Sequence, residues 1–215
     1  MSESYSNNDT WDKIKKDPWF IGEVNEPDEE MCLYCVENAW NTLKLIKKPS
    51  KEVIKKALAS KGWAIQYVKN PNEEQQLLAI NSDWDAMQYI KNPTEKVMIE
   101  AVKLNWKAIK YIDSPSIEVE KLAVKQNAEA ILYLNNVTEE KKEIFISENI
   151  NSAKYVQYEN IRDIIIKKVG YENVNKDFII DFLKLNSLNL NKIKLIHEYG
   201  SKKAKMYLID FKLSM

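Results

Sequence analysis

Two cysteines three residues apart, a single histidine and several adjacent pairs of glutamates are the residues of this chain best equipped for chemistry. Their spacing argues against it. Cys32 and Cys35 form one CxxC. A zinc site needs a second pair of N or S ligands, and the only histidine, His197, lies far along the chain. A redox dithiol needs the strand-to-helix setting that lowers a thiol pKa, and the residues around this pair do not supply it. His197 stands beside Glu198 without an assignable nucleophile or acid partner. Glu29-Glu30, Glu73-Glu74 and Glu139-Glu140 are neighbours in sequence, which suits the start of a helix better than two carboxylates facing across a cleft. There is no glycine-rich phosphate loop and no nucleophile elbow. The sequence therefore reads as a non-enzyme, with no catalytic, cofactor-binding or metal site.

Aromatic residues are the remaining chemistry, and they recur. Tyr67, Tyr89, Tyr111, Tyr133 and Tyr155 form one column. It reads either as a ladder stacked in a core with its hydroxyls at the surface, or as a binding ladder along the inner curve of a repeat array. Trp40, Trp84 and Trp106 share a second column, but Gly62 fills the equivalent place and Trp63 follows it. On a helix that shift turns the indole toward the polar column of Asn41, Asp85, Lys107 and Glu129. Trp63 is then either an exposed hot-spot candidate or a ring still packed inside after an altered turn. The candidate partner-binding set is Trp63, Gln66, Tyr67, Asp85, Gln88, Tyr89, Lys107, Lys110 and Tyr111.

These columns belong to a 22-residue period. Pro27, Pro49, Pro71, Pro93 and Pro115 mark it, as do the small residues Cys35, Ala57, Ala79, Ala101 and Ala123, and a second small column of Ala64, Ala86, Ala108, Ala130 and Ser152. A fixed period of this length is the mark of a stacked-repeat protein. Each unit opens behind an N-cap residue (Asp28, Ser50, Asn72, Thr94, Ser116, Thr138) able to accept from first-turn N–H groups. In Glu95–Ser116 a first helix carries Val97, Met98, Ile99, Ala101 and Val102 and ends near Leu104-Asn105. Turn residues recur there as Asn38, Asp83, Asn105, Asn127 and Asn149, with Lys61-Gly62 in the second unit. A shorter helix follows, with Trp106, Ala108, Ile109, Tyr111 and Ile112 inward, and the proline is expected to close it. One unit buries too little apolar surface to offset the entropy of ordering its backbone, so stability belongs to the stack.

The expected fold is all-α, an α-solenoid of about six two-helix repeats over residues 29–160, with helical caps at both ends. Residues 1–28 form a disordered start to about Thr10 and a half-repeat cap using Trp11, Ile14, Trp19 and Phe20. The sixth unit, from Glu139, is degenerate, with Phe145 in the small column and no proline. Residues 161–215 form a C-terminal helical cap with helices over Ile161–Val169, Lys176–Leu185, Lys192–Tyr199 and Lys202–Lys212. Leu183, Leu185, Leu188, Leu190, Ile193 and Leu195 are its expected core.

At 45% hydrophobic residues, with no long apolar run or secretion signal, the chain reads as non-membrane and cytoplasmic. Two cysteines do not make a disulfide scaffold. Net charge is zero, but residues 1–30 hold nine acidic and three basic side chains, and residues 160–215 hold eleven basic and six acidic. Such ends could orient the protein on a charged partner or join copies head to tail. The basic end offers Lys167, Lys168, Lys202, Lys203 and Lys205 as a nucleic-acid contact, although no strong basic stripe marks one. A monomer or a weak homo-oligomer fits the pattern.

The run of an alanine-valine pair, an asparagine turn, Ala-Ile-x-Tyr-Ile, Asn-Pro-Ser/Thr and Glu-x-Val, clearest over Ala79–Val102 and Ala101–Val124, resembles uncharacterised helical-pair repeats of large phages and giant viruses. More distantly it is similar to HEAT-like solenoids. That resemblance implies architecture and a setting, but no catalytic residues. In that setting the chain would be a phage or mobile-element protein in the host cytoplasm. It would bind and inhibit a host protein complex, as a defence antagonist of the anti-CRISPR kind. Nucleic-acid binding and a structural or self-assembling viral role are the alternatives.

Overall fold

Each repeat begins at a capping side chain. The computed structural model describes residues 7–157 and 161–214, and in it all six expected N-caps accept a backbone N–H three residues on. They run from Asp28 with Met31 N at 2.7 Å to Thr138 with Lys141 N at 3.4 Å. Asn72 completes a capping box with Gln75, satisfying two otherwise orphaned donors at once.

The chain divides into two compact units, Met1–Ile112 and Asp113–Met215. The first opens with α1 (Asn7–Lys16) and the 3-10 helix η1 (Pro18–Glu23), then four helix pairs. These are α2 (Glu29–Asn38) with η2 (Trp40–Leu45), α3 (Lys51–Ser60) with η3 (Gly62–Tyr67), α4 (Glu73–Ser82) with η4 (Trp84–Tyr89), and α5 (Glu95–Leu104) with η5 (Trp106–Tyr111). The second unit holds two further pairs, α6 (Ile117–Gln126) with η6 (Ala128–Tyr133) and α7 (Glu139–Glu148) with η7 (Ile150–Lys154). It ends in α8 (Ile161–Val169), α9 (Lys176–Lys184), α10 (Lys192–Tyr199) and α11 (Lys202–Leu213). The fold is all-α, a solenoid-type array of six helix pairs between helical caps, with no strand among the described residues.

The short helices are all 3-10 helices, three residues per turn instead of 3.6. A single extended residue joins the halves of a pair. Asn105, at φ −157° and ψ 122°, is at once the C-cap of α5 and the N-cap of η5. In the first pair that residue is Ala39, so Asn38 is the last helical position and not the turn. The proline does not close the short helix. Helix η5 ends at Tyr111, and Pro115 stands just before the N-cap Ser116, where its fixed φ shapes the entry to the next helix.

Both small-residue columns are fully buried. Cys35, Ala57, Ala79, Ala101, Ala123 and Phe145 are 0% exposed, as are Ala64, Ala86, Ala108, Ala130 and Ser152. Within the first unit successive long helices pack on each other, as do successive short ones. Val97, Ala101 and Val102 face the core while Met98 and Ile99 are half-buried. Polar bonds also cross between repeats: Thr94 Oγ1 donates to Glu73 at 2.7 Å and Lys96 Nζ at 3.2 Å. The Thr94 hydroxyl first, and Lys96 after it, hold the Glu73 carboxyl below its usual range. In the second unit Glu120, 2% exposed, is paired with Lys141 Nζ at 2.8 Å.

The caps need three corrections. The expected disordered start is helical from Asn7 onward, and residues 1–6 lie outside the described residues. Ile14 is buried and Trp11 packs edge-on to Tyr34 at 5.9 Å, but Trp19 is exposed. The C-terminal cap does not have a core of its own: Ile146 and Ile150 of the sixth repeat join Phe178, Ile179, Phe182, Leu185 and Leu195 in it. Leu183, Leu188 and Leu190 pack against that core, whereas Ile193 points outward. The end of the sixth repeat, 158–160, also lies outside the described residues.

Candidate functional site

Helices η3, η4 and η5 lie side by side and carry the whole candidate set. Because a 3-10 helix repeats every three residues, side chains at i and i+3 eclipse and form a ridge. Trp63 and Gln66 make one such ridge, Asp85 and Gln88 the next, Lys107 and Lys110 the third. Gln66 Nε2 donates to Trp63 O, and Gln88 Nε2 to Asp85 O, both at 2.9 Å. Each glutamine, exposed, is thus tied back to the start of its own ridge.

Trp63 is not a free exposed indole. Its Nε1 donates to Asp85 Oδ1 at 2.7 Å, its ring stands edge-on to Tyr89 with centroids 6.1 Å apart, and Lys61 Nζ lies over it at 5.0 Å. The neighbouring rungs explain why. Trp40 stacks on Tyr67 at 6.2 Å and Trp84 packs on Tyr111 at 6.3 Å, so both of these column tryptophans meet the tyrosine of the following repeat. At Gly62 a Cβ would lie 2.1 Å from the Ala79 carbonyl oxygen. The chain there sits too close to α4 for a side chain, and Trp63 takes over the rung to Tyr89. Asp83 fastens this approach, accepting from Gly62 N at 2.6 Å and pairing with Lys61 Nζ.

Tyr67, Tyr89 and Tyr111 are therefore rungs in tryptophan–tyrosine pairs. Tyr67 and Tyr89 are half-buried; Tyr111 is 37% exposed, so the inward placement expected for it is corrected. Lys107 and Lys110 both lie 5.9 Å from the Trp106 ring. The fold thus brings the nine candidate residues onto one face. Sequence reading named the Trp40, Trp84 and Trp106 column but missed the pairing of Trp40 and Trp84 with tyrosines, and it missed the Lys61–Asp83 clasp. The signal for the pairing was the equal spacing of Trp40 from Tyr67 and of Trp84 from Tyr111, one residue longer than that of Trp63 from Tyr89.

The nucleophile candidates are buried. Cys32 and Cys35, free thiols in α2, are 5% and 0% exposed. Burial, then Cys32 and Asp17, push the Cys35 thiol up to about 12, and burial, then Asp28 and Glu29, raise Cys32. His197 is exposed on α10. Among the described residues no cluster of His, Cys, Asp or Glu is arranged to hold a metal, and no helix is long and apolar enough to cross a membrane.

In the second unit, Ser201 N donates to Val169 O at 2.9 Å and Lys203 Nζ to Asn173 at 3.1 Å. This brings the end of α8, with Lys167 and Lys168, next to the first turn of α11 with Lys202, Lys203 and Lys205. A separate groove of about 710 Å³ runs between α6, α7 and α8, with Ile117 and Ile144 among its lining and Tyr171 beside it.

Comparison with family models, with curated proteins and with solved structures returned no match.

Proposed function

We propose that this chain is a non-enzymatic binding protein that holds another protein against the short-helix face of its first unit. The observation that carries the reading is the row of partly exposed tryptophan–tyrosine rungs across η2 to η5. Beside the rungs stand the outward Gln66, Gln88 and Lys110. Large aromatic rings with few rotatable bonds are the side chains that anchor protein interfaces at low entropic cost. A host protein complex inhibited in a bacterial cytoplasm is the form of partner and setting favoured by the resemblance of the repeat.

The test is affinity capture from bacterial host lysate, comparing the native chain with a Trp63→Phe, Gln88→Ala, Lys110→Ala variant. The phenylalanine keeps most of the rung, so the variant stays folded. Loss of the captured protein supports this face; equal capture by both proteins removes it.

A second reading rests on the lysines gathered at the α8–α11 junction. Lys202 and Lys203 occupy the first turn of α11, where the helix dipole disfavours cations. A polyanion there would relieve that repulsion. Binding of a single-stranded or duplex oligonucleotide that falls steeply with salt, and is lost on Lys167→Ala, Lys202→Ala and Lys203→Ala, supports this reading. A flat salt response rejects it.

A further inference from the structure

Charge in the first unit is biased by helix type. The column of Lys47, Lys69 and Lys91 ends at Asp113, and from η2 to Ile112 the short helices and the connectors after them carry Lys44, Lys47, Lys48, Lys69, Lys91 and the Lys107/Lys110 pair, against one carboxylate, Asp85. That carboxylate is already engaged by the Trp63 indole. The long helices α2 to α5 carry eight glutamates and five lysines. Glutamates that open them are turned to partners of their own: Glu29 accepts from Ser50, and Glu73 from Thr94 and Lys96. Glu23 and Glu26, in the N-terminal cap, bound the basic strip on one side.

Lys47, Lys69 and Lys91 repeat at one position per unit, and all three are exposed. Among the described residues no carboxylate forms an ion pair with them. Lys44, Lys47 and Lys69 line a groove of about 360 Å³ with Tyr67, Ile46 and Pro49, and no acidic side chain takes part in that lining. Unpaired like charges held in a row repel one another and raise the local potential; an incoming anion relieves both.

We infer that the short-helix face of the first unit receives an acidic polypeptide segment, whose carboxylates lie along the connector lysines. The inference rests on the protein-binding reading and specifies the partner. Carboxylates fit better than stacked bases because the ring faces are in use. Trp40 and Trp84 are covered by tyrosines, Trp63 by Lys61, and Trp106 by Lys107 and Lys110. A single-stranded nucleic acid needs open aromatic faces on which to stack. Beside these rings stand the exposed Gln66, Gln88, Lys107 and Lys110, whose amide and ammonium groups suit a peptide's carbonyls and carboxylates.

The experiment uses the full chain and a fluorescein-labelled poly-glutamate peptide, read by fluorescence anisotropy over a salt series. Binding is expected at low salt and should weaken as screening increases. Lys47→Glu, Lys69→Glu and Lys91→Glu together should weaken it by about tenfold or more. The matched reversal of long-helix lysines, Lys51→Glu, Lys55→Glu and Lys103→Glu, should change it little; thermal melts confirm that both triples are folded. No binding at low salt, or an equal loss in both triples, overturns the inference. So does tighter binding of an oligothymidylate of equal charge with quenching of tryptophan fluorescence, which would make the ligand a nucleic acid. The connector lysines lie outside the Trp63, Gln88 and Lys110 set. A failure here with that set still decisive for capture would reject the acidic partner while leaving the face in place.

Discussion

The indole of Trp63 is bound to the carboxylate of Asp85, one repeat further on, through an Nε1–Oδ1 hydrogen bond of 2.7 Å. It ties η3 to η4 at the one rung where the tryptophan is displaced by a residue. Asp85→Ala should lower stability by about 1 kcal/mol, because the site is only half-buried and water can partly replace the acceptor. Asp85→Asn keeps an acceptor and should cost less. Urea unfolding of the two variants checks the order; an alanine variant as stable as the native protein would show that the bond contributes nothing net.

Gly62 answers to packing and not to a left-handed backbone. A methyl group there meets the Ala79 carbonyl oxygen, which belongs to a helix and cannot rotate away. Gly62→Ala should cost about 1–3 kcal/mol. Gly22 is the internal comparison: its added Cβ meets only the Leu45 side chain, at 3.3 Å. Gly22→Ala should stay within about 0.5 kcal/mol. Equal thermal shifts for the two would contradict the assignment.

The small-residue column tolerates a phenyl ring in only one place. Phe145 is fully buried where the earlier repeats have alanine or cysteine. Phe145→Ala should therefore cost about 3–5 kcal/mol through the cavity it leaves. Ala101→Phe should also destabilise, by overpacking. If Ala101→Phe melted like the native protein, the column would not be a site of close helix approach.

Cys35 should be silent toward thiol reagents while the protein is folded. The thiolate is the reactive form, and a thiol raised to about 12 stays protonated at neutral pH. Ellman's reagent should report neither Cys32 nor Cys35 in the native state and both after denaturation. The sign of the pH dependence follows. The unfolded thiol releases its proton first, near its usual value of about 8.5, while the folded one still holds it. Stability therefore falls as pH rises from there toward about 12, and Cys35→Ala should flatten that decline.

Local chemistry was readable; contacts between repeats were less so. N-caps and helix ends such as Glu95–Leu104 follow from side chains a few residues apart, and the sequence placed them well. The C-terminal helices Ile161–Val169 and Lys192–Tyr199 were likewise legible from periodicity. The 3-10 winding was not, since Ala108, Ile109 and Ile112 would be buried by either helix type. The proline misled for a related reason: it marks both the end of one element and the entry to the next, and only the backbone shows which. Trp63 was open because its place depends on how closely η3 approaches α4. That distance is set by Gly62 against Ala79, two residues in different repeats.

One residue serves as the stop of each long helix and the start of the short one that follows, as Asn105 does between α5 and η5. No slack remains at that joint. Inserting or deleting an amino acid there would rotate every later ridge out of line with its neighbours, so the spacing of the surface behaves as a ruler of fixed graduation. Diversity in such a protein has to be written by exchanging side chains on the ridges, never by lengthening the joints between them.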